Sequence, residues 1–332
     1  MNREGALGVL RLAVRQVLGT APASPQDGGP APVVVACSGG PDSLALLAAT
    51  VAERDRHGRR VIGAVVDHGL QEGSAEHTAA VVRRMAGLGA DETLSARVQV
   101  THDGRGWEAA ARTARYDVLG QVAASVGTDV VLLGHTLDDQ AETVLLGLTR
   151  GSGGRSIAGM RRSFEVFHRP LLGVGRAVTL AACEELGVEP WHDPHNTDPR
   201  FTRARVRHTV LPMLETELGP GVAETLARTA ELLRPDMEAL DDLADLAYLE
   251  ARVEDGLDVA ALAGQPAAIV SRVVRLAALA AGSPASELFH VHVTGLVALL
   301  AGRVRGEIQL PGRVTARREG DRLRFGATAV ES

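Results

Sequence analysis

The stretch Val33–Ser43, VVVACSGGPDS, decides how this chain folds. Val33, Val34, Val35 and Ala36 form a short apolar, β-branched run that suits a strand buried on both faces. Ser38-Gly39-Gly40-Pro41-Asp42-Ser43 breaks it with a tight turn, and LALLAATV over 44–51 resumes with apolar residues at helical spacing. Strand, glycine turn and helix together aim backbone N–H groups at an anion. The glycines allow close approach, and the helix start adds partial positive charge. Pro41 suits the first helical turn, where its missing N–H leaves nothing unpaired. An ordinary strand-to-helix turn with Asp42 and Ser43 as caps is the plainer competitor. The Walker pattern GxxxxGK[ST] needs a Lys that is absent here. A loop without that Lys suits a departing pyrophosphate better than the transfer of a γ-phosphoryl group. Asp42 beside phosphates would repel them unless a divalent cation bridged the two, which implies Mg²⁺ at Asp42.

Working outward, VIGAVV over 61–66 reads as a second buried strand ending in Asp67-His68-Gly69-Leu70. Nucleotides bind at the C-terminal ends of strands in open α/β sheets, so Asp67 and His68 are candidates for the adenosine side. A helix is predicted over 74–88 and a strand over 94–100. A long helix over 106–126 carries Glu108, Arg112, Arg115 and Tyr116, and a strand over 130–133 ends in Gly134-His135. Strands alternating with helices predict parallel βαβ units in a doubly wound sheet. Upstream, residues 21–32 form a Pro/Gly-rich linker. The first twenty residues carry Arg3, Arg11 and Arg15 within an apolar pattern, an amphipathic helix rather than a secretory signal or membrane span.

The second chemical block is GHTLDDQAETVLLGLTRGSGGRSIAGM, residues 134–160. Asp138, Asp139 and Glu142 lie in the first turns of a helix at spacings that turn them in one general direction. Thr136 as N-cap with Asp139 at N3 resembles a capping box, which accounts for one acid, two at most. The cluster as a whole is better matched by a cationic ligand, either a metal or an ammonium. Arg150-Gly-Ser-Gly-Gly-Arg155 is a flexible basic loop able to approach a phosphate backbone. Farther on, Trp191, His192 and His195 precede Arg203, Arg205 and Arg207, whose spacing does not put all three on one helix face. Such a run is often only a solvated surface, yet it offers phosphate contacts and stacking for an unpaired base.

At 332 residues the chain is long enough for two domains. Aromatic residues are only 3%, so the core is built from Val, Leu and Ala. All 35 basic residues are Arg, and the net charge of −6 means that a polyanion would need a local basic patch. Cys37 and Cys183 are the only cysteines and form no CxxC, which argues against a zinc or iron–sulfur site and for a reducing cytoplasm. Beyond Pro212 the sequence turns helical, with helices predicted over 222–251 (interrupted at Pro235), 267–281 and 287–300. Residues 307–325 alternate between turn signals as a small β-meander.

SGGPDS resembles the pyrophosphate-loop signature SGGxDS of ATP pyrophosphatases that activate a carbonyl by adenylation. The four blocks SGGPDS, VDHGL, GHTLDDQAET–RGSGG–GM and RPLL…DPHN…RARVRHTVLP together resemble the bacterial tRNA(Ile)-lysidine synthetases, continuously and in order over about 30–215. His195 stands where that family usually has Ser in DPSN. The resemblance implies an adenine-nucleotide alpha-hydrolase-like, doubly wound parallel sheet followed by a helical domain and a short β-rich tail. The division it suggests is an N-terminal helix and linker at 1–30, a catalytic domain at 31–215, a helical tRNA-binding domain at 216–302 and a tail at 303–332. Longer members carry a further C-terminal domain, for which little chain is left here. The implied reaction adenylates the C2 oxygen of the wobble cytidine of tRNA(Ile) with anticodon CAU, after which free L-lysine displaces AMP. By the same resemblance Ser38, Gly39, Gly40, Pro41, Asp42 and Ser43 hold the phosphates of ATP, with Mg²⁺ at Asp42. Asp67, His68, Arg115, Gly134 and His135 flank the nucleotide. Asp139 and Glu142 bind lysine, and Arg112 and Arg205 join Asp42, Asp139 and Glu142 as catalytic candidates. Arg150, Arg155, Arg203, Arg205 and Arg207 are the candidates for tRNA. No membrane partner is expected, and a homodimer is left open. A tRNA thiolase would need a sulfur relay that Cys37, in a buried strand, and Cys183, isolated in a helix, are poorly placed to supply. A non-catalytic tRNA-binding protein would not need the intact SGGPDS and DDQAET.

Overall fold

The computed structural model describes residues 5–20, 30–67, 69, 73–98, 107–151, 153–191 and 197–328. They form two compact units, one of Met1–Leu146 with Gly159–Arg228, the other of Gly147–Ala158 with Thr229–Ser332.

The first unit is built on a six-stranded sheet. Its strands are β1 (Val33–Ala36), β2 (Val61–Asp67), β3 (Glu92–Arg97), β4 (Val131–Leu133), β5 (Ser163–Phe164) and β6 (Phe167–His168), in the order β3-β2-β1-β4-β6-β5. All neighbours are parallel except the edge pair β5–β6, a hairpin that turns at Glu165 with φ of 49° and was not foreseen from sequence. The period-two alternation of the central strands is plain. Val33, Val35, Val61, Val65 and Leu132 enter one core cluster, whereas Val34, Ile62, Ala64, Val131 and Leu133 enter the other. A sheet apolar on both faces must be covered twice. On one side lie α1 (Ala6–Thr20), α2 (Pro41–His57), α3 (Ser74–Gly87) and α7 (Arg176–Glu185); on the other lies α4 (Trp107–Val126). α5 (Leu137–Arg150) follows β4. α8 (Thr202–Arg205), a single π-turn (Val206–Val210) and α9 (Leu211–Leu218) complete this unit. The doubly wound parallel sheet expected from sequence is present, with one antiparallel edge strand.

The N-terminal helix falls within this unit, while residues 21–29 of the expected linker lie outside the described residues. Leu10, Val14 and Leu18, four residues apart, are fully buried against α2 and α7. Between them Arg11 Nε (2.7 Å) and Arg15 Nε (2.9 Å) donate to Glu53, a carboxylate with no exposed surface.

The second unit joins what the sequence divided. The later residues of α10 (Val222–Ala251) pack with α11 (Ala267–Ala280) and α12 (His290–Leu300) on a five-stranded antiparallel sheet. Its strands β7 (Arg252–Val253), β8 (Gly256–Asp258), β9 (Glu307–Leu310), β10 (Val314–Glu319) and β11 (Arg322–Ala327) run in the order β7-β8-β11-β10-β9. Helices and tail therefore share one core, with Leu257, Val273, Leu296, Ala316 and Leu323 fully buried in it. α6 (Gly154–Ile157) belongs here as well, Arg155 being paired with Asp241 at 2.6 Å. α10 runs unbroken through Pro235, contrary to the predicted interruption. Pro235 is exposed, where a missing amide donor leaves nothing stranded in a core. Among the described residues no helix is long and apolar enough to cross a membrane.

Hydrogen bonds from Arg15, then Arg11, outweigh burial and hold the Glu53 carboxyl down to about 2. That contribution is complete above the ordinary carboxylate range near 4.5 and is lost as pH falls toward about 2. Glu53→Gln should lower stability at pH 7 by about 1–3 kcal/mol. In thermal melts the gap to wild type should close across that acid interval. A gap that does not change with pH would show that the carboxylate is not what secures α1.

Candidate active site

The glycine turn leaves β1 and enters α2 with Gly39 at φ 86°, Gly40 as N-cap and Pro41 in the first turn. A Cβ on Gly39 would sit 2.7 Å from Val81 Cγ2, so both its conformation and its surroundings require glycine. No side chain caps α2, and its first amides face the turn. Ser43 shapes the loop from inside: its Oγ accepts from Ser38 N–H (3.2 Å) and donates to the Gly40 carbonyl (3.0 Å). From outside, Trp191 N–H donates to the Gly39 carbonyl at 2.9 Å, and His77 Nε2 lies 3.2 Å from the Ser38 carbonyl. The His77 and Trp191 rings touch, with centroids 3.8 Å apart. Trp191, expected to stack on a base, is thus engaged in bracing the loop. Gly134, at the end of β4, lies against α2 so closely that a Cβ would be 3.1 Å from the Asp42 carbonyl and Ser43 Cα. β1 and β4 are neighbours in the sheet whose connections leave in different directions, and the crevice beyond such strand ends is where α/β sheets take nucleotides.

Beside the loop, three carboxylates meet three guanidinium groups. Thr136 begins α5, and Asp139 Oδ2 accepts from its N–H (2.8 Å) and Oγ (3.1 Å), so the capping-box reading holds for this acid. The other oxygen of Asp139 faces Arg207 Nη2 (2.8 Å), Arg203 Nη2 (3.4 Å) and Arg176 Nη2 (3.7 Å). Glu142 is fully buried and accepts from Arg207 Nε (2.5 Å) and Arg203 Nε (2.7 Å). Asp42 accepts from Arg176 Nη2 (2.7 Å) and Thr179 Oγ1 (2.5 Å). Asp138 parts from the other acids and accepts the backbone N–H of Arg176, at the start of α7, at 2.7 Å. Burial acts to raise the Asp139 carboxyl, but Arg203, Arg176, Arg207 and the Thr136 amide outweigh it and hold it below its usual range. At Asp42 burial prevails over Arg176 and Thr179, and its carboxyl is raised. Burial likewise opposes the charge on Arg207, yet Glu142, Asp139 and Asp42 more than restore it.

Arg203 and Arg207, four residues apart, therefore turn inward to the acids rather than lying in an outward basic row. The π-turn carries Arg207, and its widened backbone closes with Leu211 N–H donating to the Val206 carbonyl. Arg205 points away and binds its own loop, donating to the carbonyls of Pro199 (2.7 Å) and Arg200 (3.1 Å). Arg150, exposed at the end of α5, and Arg155 both lie in the second unit. On α4, Arg112 Nη2 donates to Tyr116 Oη at 3.1 Å, and the Arg115 guanidinium lies 5.8 Å from the Tyr116 ring centre. Arg169 joins this group to the site by donating to Tyr116 Oη (3.1 Å) and to His135 Nδ1 (3.3 Å). Burial first, with the nearby arginines, lowers His135 to about 3, so its ring is neutral. Asp67 is buried and accepts from Gly69 N–H at 2.8 Å, bracing the turn after β2. His68, residues 192–196 and the side chain of Glu108 lie outside the described residues. Sequence reasoning missed Arg176, Thr179, His77 and Arg169. An Arg–Thr pair three apart at a helix start was the one local signal for the first two.

The thiols border the loop without serving it. Cys37 Sγ faces the Ser43 carbonyl (3.8 Å) and Cys183 Sγ the Pro41 carbonyl (3.5 Å). Burial raises Cys37 to about 12, and burial with Asp42 raises Cys183 to about 11, which leaves neither a thiolate at neutral pH. Among the described residues no group of three His, Cys, Asp or Glu could hold a metal alone. Asp42, whose two oxygens each accept one hydrogen bond, fits a magnesium ion carried mainly by phosphates, with one protein carboxylate completing the set.

A parallel sheet with this glycine turn and uncapped helix start defines an ATP-utilising pyrophosphate-loop protein. Residues 20–214 match the PP-loop domain family, and residues 257–324 match the TilS substrate binding domain. The tRNA(Ile)-lysidine synthase of Thermobifida fusca is 50% identical over 314 residues, 94% of this chain and 95% of that one. That of Salinispora arenicola is 49% identical over 325 residues, 96% and 95% of the two chains. The chain belongs to the tRNA(Ile)-lysidine synthase family. Its fold is also similar to a solved structure, the U34-tRNA thiolase NcsA from Methanococcus maripaludis with its [4Fe-4S] cluster. That likeness has a TM-score of 0.53 and 20% identity, covering 69% of this chain and 80% of that one.

Gly134→Val should weaken nucleotide binding by about tenfold, or about 1.4 kcal/mol, in a titration, because the added carbons press on Asp42 and Ser43. Unchanged affinity would separate β4 from the loop. Both thiols should resist alkylation at pH 8 in the folded protein and react once it is unfolded. Labelling of native protein at the rate of free cysteine would contradict the protection described.

Proposed function

We propose that this chain makes lysidine, joining lysine to C2 of the wobble cytidine of tRNA(Ile) with anticodon CAU at the expense of ATP. The observation that carries the reading is the balanced group of Asp42, Asp139 and Glu142 with Arg176, Arg203 and Arg207 beside the loop. C2 of cytosine is a poor electrophile. Adenylating its oxygen turns that oxygen into part of a leaving group, with pyrophosphate departing from ATP. The loop amides and the start of α2 receive the pyrophosphate, and Asp42 would hold Mg²⁺, which neutralises charge on the phosphates. Lysine nitrogen then attacks C2, AMP departs, and the attacking amine loses a proton.

Carboxylates interleaved with guanidinium groups suit a free amino acid, which carries both charges. Asp139 and Glu142 take the α-ammonium, and Arg203 with Arg207 takes the α-carboxylate. The ε-amine has to be neutral when it attacks, although its unperturbed pKa is about 10.4. Pairing it with these acids would raise that value further, so it points away from them. His135, neutral and weakly basic, shapes the pocket rather than accepting the proton. A target in a single-stranded loop can be splayed into such a site at small cost. The second unit is the natural holder of the rest of the tRNA, and Arg150 is an exposed cation at the end of α5. The protonated state of both thiols speaks against sulfur transfer.

Incubation with ATP, magnesium, labelled lysine and total tRNA should place label in acid-insoluble tRNA, with AMP and pyrophosphate released in equal amounts. Label that stays acid-soluble while ATP, tRNA and lysine are all present would overturn the proposal.

A further inference from the structure

Arg176 links the two halves of the site. Its backbone is fixed at the start of α7 by Asp138, while its Nη2 donates to Asp42 at 2.7 Å and lies 3.7 Å from Asp139. One guanidinium thus serves the carboxylate of the loop and a carboxylate of α5. Its Nε is buried and has no hydrogen-bond partner, and the side chain is only a quarter exposed. Buried donors in native proteins are normally satisfied, so the fork has unused capacity toward a further acceptor. An oxyanion presenting several oxygens matches such a fork, and phosphate does this well. The pair Arg176–Asp42 lies where a polyphosphate and its magnesium ion would come. Each member would there meet a stronger counter-ion than the other, the arginine the phosphates and the aspartate the cation.

We propose that Arg176 is a positioning residue that exchanges partners and thereby couples nucleotide binding to lysine binding. Before nucleotide binds, Arg176 holds Asp42 and screens Asp139. With magnesium–ATP in the loop its fork turns to the phosphates. Asp139 then has one cation fewer and takes an ammonium more strongly. The inference rests on the reading that the loop takes ATP and that Asp139 and Glu142 take lysine. It adds that the two ligands bind cooperatively and that Arg176 is the reason. By linkage lysine must tighten nucleotide binding by the same factor.

The test is calorimetric titration of the full-length protein with lysine, with and without magnesium and a non-hydrolysable ATP analogue. Wild type should bind lysine about fivefold more tightly, or better, when the analogue is present. Arg176→Gln should bind lysine without nucleotide nearly as tightly as wild type does with it, and the analogue should change that affinity by less than about twofold. Arg176→Lys keeps the charge but has no fork, and should lose more than half of the coupling. Should the Gln variant fail to fold in a thermal melt, the Lys variant decides. Full wild-type coupling in whichever variant is folded overturns the role of Arg176. Lysine binding to wild type that is equal in both states overturns the coupling and leaves the proposed reaction standing. Wild type that binds no lysine in either state overturns the coupling and the assignment of lysine to Asp139 and Glu142, whereas the reaction itself is decided by the labelling assay.

Discussion

The first unit depends on charge balance at one place. Glu142 has no exposed surface and Asp139 very little; both sit at the start of α5, and Asp139 is near enough to Asp42 for their charges to interact. Buried carboxylates are tolerated only when paired and hydrogen-bonded, and removing one partner of such a pair is far more damaging than removing both. Here the partners come from distant sequence: Arg176 opens α7, while Arg203 and Arg207 lie on α8 and the π-turn. The segment after the sheet must therefore fold back over the loop to neutralise what α5 buries. Structure and site are held by the same ion pairs. Gln140, hydrogen-bonded to both the amide and the carbonyl of Met160, helps to fix the path of that returning chain.

What could be read from the sequence follows from how local each cause is. The loop was legible because its geometry needs glycine at Gly39 and a helix start straight after, all within six residues. The parallel sheet was legible because β1, β2 and β4 are apolar on both faces. Half of the capping box, Thr136 with Asp139, was legible for the same reason. The ion pairs were not. Arg176 meets Asp42 across 134 positions and Arg203 meets Glu142 across 61, and no period or spacing encodes such a meeting. The sequence suggested that clustered acids await a cation. The structure supplies that cation from the chain itself. The pairing of Trp191 with His77 behind the loop is long-range in the same way. β7 and β8 were missed because two- and three-residue strands carry no alternation to detect, and β11, the outer partner of β8, lies far along the chain.

If Asp139 and Glu142 take lysine as proposed, their pairing with arginines would select a ligand that carries both charges. A simple cation, or an amine without a carboxylate, would have to displace guanidinium groups while offering them nothing in return. A free amino acid can satisfy both signs at once and keep the site neutral throughout.

The central claim is that Asp139 and Glu142 recognise lysine whereas the loop carries out adenylation. The most direct measurement is the lysine dependence of ligation alongside pyrophosphate release in Asp139→Asn and Glu142→Gln. Each exchange removes one charge with little change of shape. The account predicts that both variants still release pyrophosphate when given ATP and tRNA, but need at least about tenfold more lysine for half-maximal ligation, a loss of about 1.4 kcal/mol or more. Pyrophosphate release that stops while the lysine requirement stays at the wild-type value would assign these carboxylates to the adenylation step and contradict the account.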